Sequence, residues 1–217
     1  ECPKHKSAEK MLANLKTRYR KLKEKIEKQK SQKKARKKHG IKKSEMQAVI
    51  IGMTLTGKSS LLSVLTNAKP EISSYGFTTK SPVVGIMKYE DVQIQIIEIP
   101  SIGSEYYDIG LVNNADTILI LIDKIEQLEK IKEALIKAIG KKIIIFNKID
   151  LLSVEEKRKI SENLKSKKYN FVLISAKTQE GISELKEKIW KGFDKIRIYT
   201  KEPGKPKSLD PIILNKN

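Results

Sequence analysis

Cysteine, aromatic residues and long apolar runs are all scarce in this chain of 217 residues. Its one cysteine, Cys2, excludes an internal disulfide framework. No secretory signal and no uninterrupted apolar span of membrane length is present, so the cytoplasm is the expected compartment and a membrane is not an expected partner. Histidine occurs only at His5 and His39, and these two with Cys2 do not fall at a metal-binding spacing. Aromatic residues make up 6% of the chain, with a single tryptophan, Trp190. Trp190 shares helical spacing with Ile182, Leu185, Ile189 and Phe193, which makes it a core residue rather than a site residue.

Acidic residues are the other shortage, and it is local. Residues 1–47 hold 18 Lys and Arg against 5 Asp and Glu, so this arm carries most of the formal net charge of +19. Such polarity points to a polyanionic partner, nucleic acid before membrane. Within the arm Leu12, Leu15, Tyr19, Leu22 and Ile26 recur at alternating intervals of three and four, predicting an amphipathic helix with a narrow seam that needs a partner. From Lys28 to Lys43 the chain is almost wholly polar and basic, broken at Gly40. A second basic helix and a flexible connector both suit this segment, and a helical hairpin is the preferred reading.

What is present after residue 45 is an alternation of strands and helices. Gln47–Gly52, Val83–Tyr89, Val92–Ile99, Thr117–Asp123, Lys142–Asn147 and Phe171–Ser175 are rich in Val and Ile and of strand length. Lys58–Asn67, Lys124–Ile139, Val154–Ser166 and Ile182–Ile196 carry helical patterns. Glu90-Asp91 joins the second and third strands tightly, predicting one antiparallel edge on an otherwise parallel sheet. The expected fold is α/β, a P-loop NTPase of the Ras-like G-domain kind, over residues 46–196. Residues 1–45 form the basic helical arm. The tail 197–217, with Pro203-Gly204, Pro206 and Pro211, reads as an extended linker that begins with a short strand at Ile196–Thr200.

The run Gly52-Met53-Thr54-Leu55-Thr56-Gly57-Lys58-Ser59, followed by Ser60, lies between the first strand and the first helix of this domain. That is a P-loop in its required context. The two glycines let backbone N–H groups face phosphate oxygens, Lys58 reaches the terminal phosphates, and the Ser59 hydroxyl is placed to ligate Mg²⁺. Asn147-Lys148-Ile149-Asp150 closes the apolar run Ile143–Phe146. A carboxylate there accepts from guanine N1–H and the exocyclic amine, a donor pair that adenine lacks. Asp150 is therefore assigned base choice, Asn147 the other edge of the base, and Lys148 its face. Ser175-Ala176-Lys177 ends the next strand, where the Ala176 amide is placed to donate to guanine O6. GTP and GDP are the expected ligands. In Tyr75-Gly76-Phe77-Thr78-Thr79, Thr79 is preferred over Thr78 as a second Mg²⁺ ligand and γ-phosphate sensor. Lys58 and Thr79 are the candidate catalytic residues.

With these pieces placed, the chain resembles the Obg-related GTPases, and within them the developmentally regulated GTP-binding (DRG) proteins. The resemblance is carried by Phe77-Thr78-Thr79, by Asn147-Lys148-Ile149-Asp150, by Glu184-Leu185-Lys186-Glu187-Lys188-Ile189-Trp190, and most specifically by Ile196-Arg197-Ile198-Tyr199-Thr200-Lys201-Glu202-Pro203-Gly204. It covers roughly residues 45–214 and implies a cytoplasmic GTPase associated with translating ribosomes.

The departures from the family pattern concern turnover. Glu98-Ile99-Pro100-Ser101 stands where Asp-x-x-Gly is usual, so Glu98 is expected to reach Mg²⁺ through water and Ser101 adds a side chain at a phosphate-facing turn. Ile102 cannot orient a water, so intrinsic hydrolysis is expected to be slow. Leu55 replaces the asparagine of potassium-activated relatives. Between Asp123 and Lys142 there is room for one helix only, and nothing resembling a TGS domain follows Pro211–Leu214, so the chain is a compact relative or ends short of that domain. The expected function is a Mg²⁺-dependent, slowly hydrolysing GTP-binding protein, brought to ribosomes or RNA by residues 1–43 and completed by a regulatory protein partner. The alternative is a non-hydrolysing GTP-binding scaffold or RNA-binding adaptor.

Overall fold

Two strands with no polar-facing side set the centre of the fold. β1 (Gln47–Gly52) and β4 (Thr117–Ile122) are buried at every residue. Strands covered on both faces in this way belong to the middle of a parallel sheet. In the computed structural model they pair with each other in parallel, Ala48 opposite Thr117 through Gly52 opposite Leu121. The structure describes residues 11–25, 41–68, 81–201, 203, 204, 206, 208 and 210–216.

Around that centre lie β2 (Val83–Tyr89), β3 (Val92–Glu98), β5 (Lys141–Phe146) and β6 (Phe171–Leu173). The sheet order is β2-β3-β1-β4-β5-β6, parallel throughout except for the β2–β3 hairpin. The helices are α2 (Lys58–Leu65), α3 (Ile109–Asn113), α4 (Gln127–Ala134), α5 (Val154–Ser166) and α6 (Ile182–Gly192). Ile50, Leu61, Leu62, Leu119, Ile143 and Leu185, all fully buried, belong to one core that binds the sheet to its helices. The strand order reverses at β1, with β3 on one side and β4 on the other. In doubly wound sheets the ligand crevice opens at the carboxyl ends of the strands beside such a reversal. This is the α/β P-loop fold with one antiparallel pair that the sequence predicts.

Several boundaries differ from the expectation. The helix predicted over Lys124–Ile139 spans only Gln127–Ala134. Its start is set by a reciprocal tie, in which Gln127 Nε2 donates to Asp123 Oδ1 (2.7 Å) and the Asp123 amide donates to Gln127 Oε1 (3.1 Å). Ile136 and Ile139, inside the predicted range, stand almost fully exposed. The helix predicted to run to Ile196 stops at Gly192, because Asp194 turns the chain with a positive φ of 49°. The one beginning at Lys58 ends at Leu65 rather than Asn67, where Thr66 becomes extended.

The tail needs the largest correction. It is not a linker throughout: β7 (Lys195–Ile198) and β8 (Ile212–Asn215) form an antiparallel pair. Arg197 explains why the pair stays put. Its guanidinium lies over Trp190 at 4.9 Å and over Tyr89 at 6.0 Å, and it forms an ion pair with Glu90. Tyr199 Oη donates to Asp91 Oδ2 (2.7 Å), so both residues of the β2–β3 turn are held by the tail. A planar cation stacked on an aromatic face contributes through both charge and burial; the strand expected at Ile196–Thr200 is present as β7, whereas β8 lies in the stretch read from its prolines as linker.

The chain divides into two units, Glu1–Lys42 and Lys43–Asn217. In the first, residues 11–25 form a helix, α1, on which Met11, Leu12, Leu15, Tyr19 and Leu22 are exposed. Ile26, most of the basic segment that follows, and the loop holding Thr78 and Thr79 lie outside the described residues.

Candidate phosphate and base site

The P-loop is forced into shape by close approaches. A Cβ on Gly52 would lie 2.4 Å from the Leu121 carbonyl oxygen of β4, so only glycine ends β1 there. Gly57 has φ +92°, and a Cβ on it would meet Asn147 Nδ2 at 2.5 Å. Between them Leu55 sits at φ 63° with its side chain exposed. Thr54 and Met53 are half-buried, whereas Thr56 is fully buried and donates through Oγ1 to the Met53 carbonyl (3.0 Å). These turns place the loop at the N-terminus of α2, where orphan N–H groups and the helix dipole favour an anion.

Lys58 opens α2 yet is only 6% exposed. Its Nζ donates to the Met53 carbonyl (2.9 Å) and to Ser101 Oγ (2.8 Å). Burial pulls its pKa down to about 8, and the Glu98 carboxylate opposes that shift. Next to it Ser59 Oγ donates to Glu98 Oε1 at 2.6 Å, and Glu98 is almost fully buried. The extra methylene of glutamate thus brings this carboxylate directly onto the Ser59 hydroxyl. Ser60 is half-buried on the following turn.

The lysine's depressed pKa has a testable consequence. A polyphosphate selects the ammonium form, so above pH 8 its binding must take up a proton at Lys58. Affinity for a nucleoside triphosphate is expected to fall as pH rises from 8 to 9, by up to about tenfold per pH unit. Calorimetry in buffers of different ionisation enthalpy should register this proton uptake at pH 8.5 and not at pH 7. Equal uptake at both would contradict it.

At the other end of the crevice, β5 and β6 deliver two loops. Asn147, buried at 3% exposure, donates from Nδ2 to the Thr56 carbonyl (2.8 Å) and accepts at Oδ1 from the Ala176 amide (3.0 Å). It is the bridge between the P-loop and the loop after β6. The sequence assigns Asn147 to the base edge and the Ala176 amide to guanine O6, and here the two are joined to each other by a hydrogen bond. A buried carboxamide needs such partners, and these two lie within reach.

Lys148 adopts φ 65°, and its Nζ is held by Asp123 Oδ2 at 2.5 Å. Asp150 is the half-exposed member of the group. Its Oδ1 accepts from Ser175 Oγ (2.6 Å), and that bond is the main reason its carboxyl titrates below the usual range. Ser175 is fully buried, and its hydroxyl also accepts from the Thr178 amide (3.1 Å). Lys177 is exposed at the rim.

The structure therefore brings together Gly52, Thr56, Gly57, Lys58, Ser59, Glu98 and Ser101 on one side, and Asn147, Lys148, Asp150, Ser175 and Ala176 on the other. Asp123 and Gln127 are the residues that sequence reasoning misses. Their signal is a carboxylate ending an apolar strand four residues before a glutamine on the next helix.

The 50S ribosome-binding GTPase family model matches residues 47–148, which run from the first residue of β1 to Lys148. GTPase Obg of Pelagibacter ubique (strain HTCC1062) is 34% identical over 159 residues, covering 64% of this chain and 49% of that protein. Residues 47–148 thus carry the P-loop GTPase fold and are similar to the GTPase domain of the Obg class. An uncharacterized GTP-binding protein of Methanocaldococcus jannaschii is 26% identical over 299 positions, covering 99% of this chain and 76% of that protein. That alignment is longer than this chain, so the archaeal protein holds residues inside the matched span that this GTPase domain lacks. A crystal structure of Era in complex with MgGDPNP and a fragment of 16S ribosomal RNA shares the fold, with a TM-score of 0.61 at 24% identity over 74% of this chain and 59% of that one. The chain spans about half the length of the Obg relative described above.

The GTPase domain's own oxygens fit a magnesium ion. Mg²⁺ prefers one or two carboxylate or hydroxyl oxygens with the remainder supplied by phosphate and water. The Ser59 hydroxyl and the buried Glu98 carboxylate, in contact beside Lys58, are such a pair. Among the described residues no cluster of three or more His, Cys, Asp or Glu forms a closed metal cage. No helix among them is long and apolar enough to cross a membrane.

Proposed function

We propose that this chain is a cytoplasmic, DRG-like member of the class that binds GTP and GDP with Mg²⁺, hydrolyses GTP slowly, and is brought to the ribosome or other RNA by its basic N-terminal segment. The observation that carries the nucleotide reading is the Asn147 bridge, because it joins a phosphate loop to a loop whose neighbouring carboxylate, Asp150, is kept ionised and half-exposed. Thr56, Gly57 and Lys58 then face the phosphates, and Asp150 accepts from the guanine N–H pair. Lys148, braced by Asp123, lies along the base. Ser59 and Thr79 would hold a Mg²⁺, with Glu98, beside Ser59, reaching it through water. A bound metal would supply charge neutralisation to the phosphates.

Hydrolysis in this reading is phosphoryl transfer to water, helped mainly by Lys58 and the P-loop amides. Ile102 follows Ser101 with its amide tied to the Gly52 carbonyl (3.2 Å), and its side chain has no group to orient a water. Slow turnover follows, and a regulatory protein is the natural source of what is missing. GTP should bind more tightly than ATP. Single-turnover GTP cleavage should exceed background, with ribosomes accelerating it. No cleavage with or without ribosomes would leave a GTP-binding scaffold as the function.

Deleting residues 1–43 is expected to abolish association with ribosomes or RNA while GTP affinity stays within about twofold. Association of the whole chain should also weaken by about a thousandfold between 50 and 200 mM salt if six or more phosphates are contacted. A salt-insensitive interaction would instead assign the exposed Leu12–Leu22 seam to a protein partner.

A further inference from the structure

We propose that the Ser101 hydroxyl is a latch on the phosphate lysine, holding the ammonium donor that a γ-phosphate must take and thereby biasing the site toward the diphosphate. This rests on the nucleotide reading above and adds a residue that sets the choice between its two ligands. The argument is a count of donors. A lysine ammonium has three N–H groups. Lys58 gives one to the Met53 carbonyl and one to Ser101 Oγ, its two hydrogen bonds among the described residues. One donor is left for phosphate. A diphosphate can use it without disturbing either bond, but a triphosphate calls on this lysine at both its β- and γ-phosphates. One existing partner must then be given up.

Met53 is not the one to yield. Its carbonyl is part of the P-loop backbone and also accepts from the fully buried Thr56 hydroxyl, so moving it would unpick the loop. Ser101 belongs instead to the segment after β3. That segment continues the β1–β3 pairing through Ile99 N–H to the Ile50 carbonyl (3.2 Å) and Ile102 N–H to the Gly52 carbonyl (3.2 Å), with Ser104 N–H returning to the Ser101 carbonyl (3.0 Å). Ser101 is 8% exposed, so its hydroxyl bond to a buried cation is made out of water and is stronger for it. The glycine of the usual Asp-x-x-Gly pattern offers no side-chain acceptor. The latch is therefore a property of serine at this position, and releasing it is how the third phosphate is felt by the segment that carries Ile102.

The test compares the wild-type chain, Ser101→Ala and Ser101→Thr by displacement of a fluorescent GDP with GDP and with a non-hydrolysable GTP analogue at fixed Mg²⁺. S101A should move the affinity ratio about tenfold toward the triphosphate, chiefly through tighter triphosphate binding, the size set by one hydrogen bond to a charged group. S101T, which keeps the hydroxyl, should stay near the wild-type ratio. A ratio unchanged in S101A, or shifted toward GDP, overturns the latch while leaving nucleotide binding intact. Failure of the wild-type chain to bind either nucleotide overturns the nucleotide reading and the latch with it. Independently of any substitution, a GDP complex of the wild-type chain should keep Lys58 Nζ and Ser101 Oγ in hydrogen-bond contact, and a triphosphate-analogue complex should separate them. Contact in both complexes would also overturn it.

Discussion

Asp150→Asn should lower GTP affinity by about a thousandfold and create affinity for xanthosine triphosphate in its place. The carboxylate presents only acceptors, matched to the N1–H and exocyclic amine of guanine. A carboxamide turns a donor toward a donor there, and the mismatch with the loss of two charge-assisted bonds sets the size of the drop. Xanthine carries an oxygen where guanine carries the amine, so it accepts what the asparagine donates. Because the Ser175 hydroxyl already holds Asp150 Oδ1, and an asparagine oxygen can take the same bond, the side chain should keep its orientation. The hydrogen bond that keeps Asp150 ionised also means GTP affinity should not depend on this group near neutral pH. Parallel titrations with GTP, ATP and xanthosine triphosphate decide the matter. Unchanged GTP affinity in D150N would remove Asp150 from base recognition.

Asn147→Ala is expected to damage both stability and binding. The substitution leaves the Thr56 carbonyl and the Ala176 amide without their partner and opens a small cavity at a position that is 3% exposed. Two buried backbone groups left unpaired, with the lost packing, cost about 3 kcal/mol of folding stability. Urea unfolding should show a lower midpoint with an unchanged slope. Nucleotide affinity should drop by about a hundredfold, because the phosphate loop and the base loop lose their common strut. Gly57 depends on the same strut from the other side, since its missing side chain makes room for Asn147 Nδ2. A variant with wild-type stability and hundredfold weaker binding would instead return Asn147 to direct contact with the base.

The fold was legible where periodicity and burial coincide. β1 and β4 are continuous apolar runs because both faces are covered, and β2 alternates because it is the edge. The Glu90-Asp91 turn was readable as a hairpin because nothing longer fits between two strands. Reading failed where an apolar residue is not buried. Ile136 and Ile139 carry a helical spacing but lie past the end of α4 and are exposed, and its start is set by Asp123 and Gln127, which no periodicity reports. In the tail the short strand at its start was legible, and the strand that returns to pair with it was not. The tail's prolines oppose helix, but they do not oppose a strand anchored by Arg197 on Trp190 and Tyr89.

The sequence by itself determined the class of chemistry. Glycines at 52 and 57, Lys58, Ser59 and Asn147-Lys148-Ile149-Asp150 are local patterns, and their spacing along strands and loops states which groups stand at the carboxyl edge of the sheet. Only the tertiary structure decided how those groups are used. Residues from β1, β3, β5 and β6, far apart in the chain, come within hydrogen-bond distance across the crevice, so Asn147 becomes a bridge, Ser175 a brace for Asp150, and Ser101 a partner of Lys58. Hydrogen bonds are short-range and directional, and no pattern along one chain can specify which distant partner a buried polar group will find.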